Sequence, residues 1–342
     1  VLMSRSKLRP TRNSLIVERI VLCPGSNGVQ RYLEDFVTAS DQHAIPYRAW
    51  LAEDPAANLL ISHGMSEHAG RYESFADYLT AHNINAWAIE HRGHGAHCRQ
   101  EDRGHYADHD GWQKVVSDLN LVKRRIISES PDLPHVLLGH SMGSYVALAA
   151  VMAEADGCDG LLLTGSGLNS RILLGAGIAI AWLEKLRLGD RGKSKLMSTM
   201  TFQTFNRRFK PNRTAYDWLS RDTAEVDKYV ADPLCGFSCT NQFWLDLLRG
   251  QFALSRLKNI CAIPHQLPIR LISGGEDPVG RLGAGVRQLQ HVLKAGGVKV
   301  VDVDLVAGAR HEVFGDLGKE DTWASTVQWI QRIVLHNLNK IG

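Results

Sequence analysis

The sequence predicts an α/β protein: a mostly parallel sheet with helices on both faces, interrupted by a helical insertion. Three observations carry this. Short apolar runs alternate with amphipathic stretches of helical period, the pattern of a sheet covered on both sides. The alternation breaks at about residue 168, leaves 168–255 without a good buried strand, and resumes at Ile269–Ser273. The apolar run His135–Leu138 leads through Gly139-His140-Ser141-Met142-Gly143 into the apolar stretch Ser144–Ala153, a strand, a sharp turn and a buried helix.

The elements follow in order. Leu33–Val37 and Ile45–Trp50 read as strands around a turn at Ala39-Ser40-Asp41. Asn58–Ser62 is a short apolar strand ending at His63-Gly64. Arg71–His82 is helical, with Tyr72, Phe75, Tyr78 and Leu79 on one face. Ile84–Ile89 is the next strand, and Trp112–Glu129 an amphipathic helix. The Gly-x-Ser-x-Gly strand and helix come next, then the strand Gly160–Gly165. After the insertion, Ile269–Ser273 and Val298–Val306 read as strands, with helices at Val286–Ala295 and Thr322–Leu338. The insertion is aromatic-rich and should sit above the carboxyl ends of the strands, where such sheets bind ligands. The expected organisation is a basic, loosely ordered arm (1–30), a first core part (31–167), a helical cap (168–255) and a second core part (256–342).

Bulk properties narrow the function. The 342 residues are 44% hydrophobic and 22% charged, with a formal net charge of +3. No basic stripe with interleaved aromatics is present, so nucleic acid is not an expected partner. Six scattered cysteines offer no second pair to complete a zinc site around Cys235 and Cys239, and they fit a reduced, cytosolic protein. Val1 and Leu2 precede Met3, the expected start, and no apolar run of signal-peptide length follows. No stretch reaches the roughly 18 apolar residues of a membrane span. The most apolar segment, Ile172–Leu183, reads as a lid helix packed on the core or as a surface that dips into a bilayer interface. Within it, Ile178 and Ile180 are expected to face a substrate.

A serine hydroxyl needs a neutral imidazole to take its proton, and that imidazole needs an acid to fix its tautomer. In this architecture the chain order is Ser, acid, His. Ser141 is the candidate nucleophile. Gly274-Gly275-Glu276-Asp277-Pro278 follows the first strand after the insertion; Asp277 is preferred to Glu276 because Pro278 fixes its turn. Gly308-Ala309-Arg310-His311-Glu312 follows the last strand and supplies His311, whereas His291 and His336 are poorly placed. The oxyanion donors are expected at the N–H groups of Met142, after the nucleophile, and Met65, in the loop after the third strand. The run His91, His94, His97, Cys98, His105 and His109 invites a metal reading, but no pair stands at a helical ligand spacing beside a carboxylate. It is read as a structural loop, and no metal is expected.

Five segments together resemble the α/β-hydrolase superfamily, in the branch of monoacylglycerol lipases, lysophospholipases and serine aminopeptidase-like proteins. They are His63-Gly64-Met65-Ser66-Glu67-His68 with Arg71-Tyr72, His91-Arg92-Gly93-His94-Gly95, Gly139-His140-Ser141-Met142-Gly143, Glu276-Asp277-Pro278-Val279 and Arg310-His311-Glu312. The resemblance covers about residues 33 to 340. It implies a cofactor-free serine hydrolase with a mobile lid, acting on an ester of one long acyl chain such as a monoacylglycerol or lysophospholipid. On this reading the enzyme is cytoplasmic and can touch a membrane surface through its cap. The basic arm and the His/Cys-rich stretch 96–110 depart from the family pattern. The alternatives are a short-chain carboxylesterase and a non-catalytic member that binds a hydrophobic ligand. An aminopeptidase is disfavoured because no evident carboxylate site awaits a free α-amine.

Overall fold

The computed structural model describes residues 19–25 and 28–341, with side chains from residue 32 to 339. Nine strands form one sheet: β1 (Arg19–Gly25), β2 (Gly28–Thr38), β3 (Ala44–Leu51), β4 (Ala57–Ser62), β5 (Ile84–Ile89), β6 (His135–His140), β7 (Gly160–Thr164), β8 (Ile269–Gly274) and β9 (Val301–Val306). Their spatial order is β1-β2-β3-β5-β4-β6-β7-β8-β9. From β5 to β9 every neighbouring pair is parallel; β1, β2 and β3 add an antiparallel edge. Strands β4 to β8 are buried at every position, which is why they read as unbroken apolar runs rather than alternating ones.

The helices are α1 (Glu73–Thr80), α2 (Gly111–Glu129), α3 (Met142–Ala153), α4 (Arg171–Leu188), α5 (Lys195–Ser198), α6 (Thr204–Arg207), α7 (Thr223–Ala231), α8 (Asn241–Leu254), α9 (Leu257–Ile260), α10 (Ala284–Ala295) and α11 (Lys319–Ile341). One sheet face is covered by Leu119 of α2, Val146 of α3, Phe243 of α8 and Leu289 of α10. The other takes Phe75 and Leu79 of α1 with Trp323, Val327 and Ile330 of α11. The predicted strands and helices of the two core parts all form.

The expected loose arm is corrected in part. Arg19–Gly25 and Gly28–Thr38 pair as a hairpin, with Arg19 opposite Glu34, and this extends the sheet beyond β2. The Gly25-Ser26-Asn27-Gly28 run between the two strands is rich in turn-forming residues, the sequence signal that a hairpin leaves. Residues 1–18 and 26–27 of that arm lie outside the described residues. Between β7 and β8 the chain forms α4 to α9 and no strand; α4 to α8 fall within residues 168–255, and α9 lies just past them.

The order reverses at β4: β5 lies to one side of it and β6 to the other. The loops leaving β4 and β6 therefore diverge from neighbouring strands and leave a crevice at their carboxyl ends, where open α/β sheets bind ligands.

Candidate active site

The Gly-x-Ser-x-Gly turn is as tight as its glycines suggest. Ser141 has φ 51° and ψ −118°, a backbone conformation that L side chains rarely adopt. A Cβ on Gly139 would lie 2.5 Å from the Gly143 carbonyl oxygen, and one on Gly143 would lie 2.0 Å from the Ser62 carbonyl oxygen. Only glycine lets β6, β4 and α3 come this close. The turn is held by the Ser141 N–H donating to Thr164 O at 2.9 Å and the Ser144 N–H donating to Ser141 O at 3.0 Å. Ser141 is left half-buried at the tip of β6.

Asp277 and His311 come together from the ends of β8 and β9. His311 Nδ1 lies 3.0 Å from Asp277 Oδ1, and both residues are buried. Asp277 also accepts from the Ser273 hydroxyl at 3.2 Å and the Val279 N–H at 2.9 Å. Burial opposes ionisation of Asp277, but His311 and these donors hold its pKa below the ordinary value. Burial would likewise lower the His311 pKa. Asp277, then Glu312 and Glu67, reverse this and raise it. An ionised Asp277 accepts the Nδ1 proton, which leaves Nε2 as the acceptor.

Glu276, the competing acid, points elsewhere. It is exposed and pairs with Arg208 of the insertion at 2.8 Å. His140 packs against His311 with its ring tilted by 49°, the ring centres 4.9 Å apart, and its Nδ1 is 3.0 Å from Thr164 Oγ1. Burial, then His311, depresses its pKa to about 4, so it stays neutral.

Ser141, His311 and Met65 line one small cavity of about 30 Å³, walled by Gly64, Glu67, His140, Phe202, Trp218, Leu219, Tyr229 and Glu312. Gly64 packs so closely that a Cβ there would lie 3.3 Å from Ser141 Cβ. This brings the Gly64–Met65 peptide close to Ser141. Met142 is the first residue of α3, so its N–H has no intrahelical acceptor and adds the positive end of the helix.

The sequence reading missed two features. Trp218 lies against His311, ring centres 4.9 Å apart, and Phe202 stacks on Trp218 at 5.8 Å. No sequence signal marks them, because they reach the site through irregular cap structure, including the π-turn Thr199–Gln203. The cap segment around Trp218 is also laced to the histidine loop. The Glu312 N–H donates to Leu219 O at 2.8 Å, and Arg221 Nε to Asp316 Oδ1 at 2.9 Å. Conversely, Ile178 and Ile180, expected to face a substrate, pack against the main core cluster and do not line this cavity. Helix α4 lies along α8 and turns Ile172, Leu173, Trp182, Leu183 and Leu186 to solvent. One face of the helix packs on the core and the other is exposed.

The histidine-rich run is knitted into the protein. His91 Nε2 pairs with Ser62 Oγ at 2.8 Å, and His94 Nε2 accepts the Ser66 N–H at 3.2 Å. His105 bonds Thr240 and Asp108, while His97 and His109 are exposed. Among the described residues, the group with metal-ligand geometry is a different one: His68, Asp232 and Cys235. There His68 Nδ1 accepts the Gly70 N–H, which directs the Nε2 proton to Asp232 Oδ2 at 2.8 Å. Burial pushes the Cys235 thiol far above its ordinary value. These contacts make the group a hydrogen-bonded tie between core and cap.

A family profile described as Hydrolase_4, serine aminopeptidase S33, matches residues 53–318. The chain is 29% identical over 236 residues to a monoglyceride lipase of Rattus norvegicus, an alignment covering 65% of this chain and 66% of that protein. It is 25% identical over 287 residues to a monoacylglycerol lipase of Mycolicibacterium smegmatis, covering 84% of this chain and 92% of that one. Its fold superposes on a carboxyl esterase of Bacillus coagulans with a TM-score of 0.81 at 22% identity, over 89% of this chain and 99% of that one. The chain belongs to the serine aminopeptidase S33 family, and its fold is that of the α/β-hydrolases.

Proposed function

We propose that this protein hydrolyses carboxylic esters, most readily those of a single long acyl chain, through a Ser141–His311–Asp277 triad and an acyl-enzyme. The observation that carries this is the buried His311–Asp277 pair opening onto the same cavity as Ser141 on its strained turn. His311 Nε2 takes the Ser141 proton as Oγ attacks the ester carbonyl. Asp277 holds the Nδ1 proton and stabilises the imidazolium. The Met65 and Met142 N–H groups receive the charge that develops on the carbonyl oxygen. His311 then protonates the leaving alcohol, and water, activated the same way, releases the acid.

The lipid preference is supported by the monoglyceride lipases among the relatives and by the apolar wall of Phe202, Trp218, Leu219 and Tyr229. Residues 168–255 act as the cap. The exposed apolar side chains of α4, with Arg171, Lys185 and Arg187 on the same helix, suit transient contact with an anionic membrane surface. Among the described residues no helix is long and apolar enough to cross a membrane.

The narrow cavity, about 30 Å³, favours a second reading, a short-chain carboxylesterase. A long chain enters only if the cap shifts. Measuring kcat/KM against acyl length separates them. Each buried methylene contributes about 0.8 kcal/mol, so a climb of roughly fourfold per carbon over several carbons supports the lipid ester. A profile that falls from acetate onward supports the short-chain reading. Absence of activity on every ester overturns both.

A further inference from the structure

We propose that Arg71 is a positioning residue that locks the oxyanion loop to the histidine loop through Glu67 and Glu312. This rests on the triad and oxyanion assignment above. The Arg71 guanidinium grips Glu312 with a two-point fork, Nη1 to Oε1 and Nη2 to Oε2, each at 2.7 Å. Nη1 also donates to Glu67 Oε2 at 2.5 Å. Glu67 Oε1 accepts from the Tyr72 hydroxyl at 3.0 Å and from the Gly64 N–H. Gly64 immediately precedes Met65, and Glu312 immediately follows His311. One cation therefore ties the peptide beside the proposed oxyanion donor to the loop that carries the base.

Two features argue that this is more than a stabilising ion pair. The cluster is largely out of water, with 4% of the Glu67 side chain and 11% of the Glu312 side chain exposed. Ion clusters in such places are poor devices for stability, because desolvation offsets their attraction; their gain is a fixed geometry. The second feature is charge. Two carboxylates around one guanidinium leave a net negative charge beside His311, and Glu312 and Glu67 both favour its protonated form. The groups that face or flank the imidazole are Asp277 from the β8 loop, Glu67 and Arg71 from the β4 loop, neutral His140 at the end of β6, and Arg310 and Glu312 on its own loop. The cluster thus places His311 and stabilises the imidazolium that forms during turnover.

The test uses the whole chain with p-nitrophenyl butyrate as substrate and circular dichroism to verify folding. Arg71→Lys keeps the charge and loses the fork. Misplacing reacting groups by about 1 Å costs on the order of 10²-fold, so kcat should fall by roughly 10- to 100-fold while KM stays nearly constant. Glu312→Gln keeps the shape and removes a negative charge, so the acidic limb of kcat/KM should move to lower pH. A purely structural role would leave that limb in place. Arg71→Lys with wild-type kcat, or a Glu312→Gln profile that superposes on wild type, overturns the proposal. If Arg71→Lys does not fold, the Glu312→Gln profile decides alone. Ser141→Ala is run alongside: activity surviving there would instead overturn the triad, so the two failures stay distinct.

Discussion

Asp277 Oδ1 and His311 Nδ1 stand 3.0 Å apart with both side chains buried, while the adjacent Glu276 turns outward to Arg208. The two neighbouring acids therefore have separable roles. Asp277→Asn should cost about 10⁴ in kcat by favouring the wrong imidazole tautomer. Glu276→Gln should change kcat little, because an exposed ion pair contributes about 0–1 kcal/mol. Steady-state kinetics on one soluble ester compares them; the reverse ranking would make Glu276 the acid.

Ser141 is half-buried at the tip of its turn and its side chain makes no capping hydrogen bond, so Ser141→Ala should fold as wild type and lose about 10⁶ in kcat. A fluorophosphonate probe should label wild type at Ser141 and leave the variant unlabelled. Mass spectrometry of the labelled peptide reads the result directly.

As the proposed base, His311 must be neutral, and its pKa is raised by Asp277 against the opposing effect of burial. Activity should therefore rise with pH, with the midpoint of the kcat/KM limb above the ordinary imidazole value of about 6.5. A midpoint below that value would mean that burial outweighs Asp277.

Glu90 is buried just past β5, with no hydrogen bond of good geometry to either carboxyl oxygen among the described residues; the Ala69 N–H and Arg48 favour its charge only weakly against burial. Arg48 Nε is 3.9 Å away and His63 Nε2 3.7 Å. Burial raises its pKa from 4.5 to about 7. The folded protein thus holds this proton through a window in which the unfolded chain has released it. Stability falls as pH rises across that window, by on the order of 3 kcal/mol. Glu90→Gln should remove this loss, so its stability relative to wild type should be greater at pH 8 than at pH 5. Urea unfolding at the two pH values measures it; an equal difference at both would place Glu90 ionised throughout.

The solvent-facing side of α4 should carry membrane contact. The double variant Leu183→Asp, Leu186→Asp removes two exposed leucines, at 57% and 64% exposure, without touching the cavity at Ser141. Burying a leucine contributes about 1.5–3 kcal/mol, so sedimentation with anionic vesicles should weaken by roughly tenfold or more. Hydrolysis of p-nitrophenyl butyrate should be unchanged. Unaltered vesicle binding would remove the cap from the membrane reading.

What the sequence by itself determined is local and periodic. Strands β4 to β8, buried on both faces, announce themselves as apolar runs, and the Gly139–Gly143 turn demands small residues at fixed positions. The sequence also marked Ser141, Asp277 and His311 as candidates, because each follows a strand end in the order this architecture uses; the proposed triad rests on them. Tertiary structure decided what depends on direction and distance. The backbone turned Asp277 inward and Glu276 outward, a choice that two adjacent carboxylates do not encode. Cap folding brought Phe202 and Trp218 to His311 from more than 90 residues away, while Ile178 and Ile180, the more apolar candidates, went to the core. The Glu67–Arg71–Glu312 cluster joins residues 241 positions apart. Its members stood in the motifs, but pairing across such a separation is set by where β4 and β9 end in the folded sheet, and no local pattern carries that information.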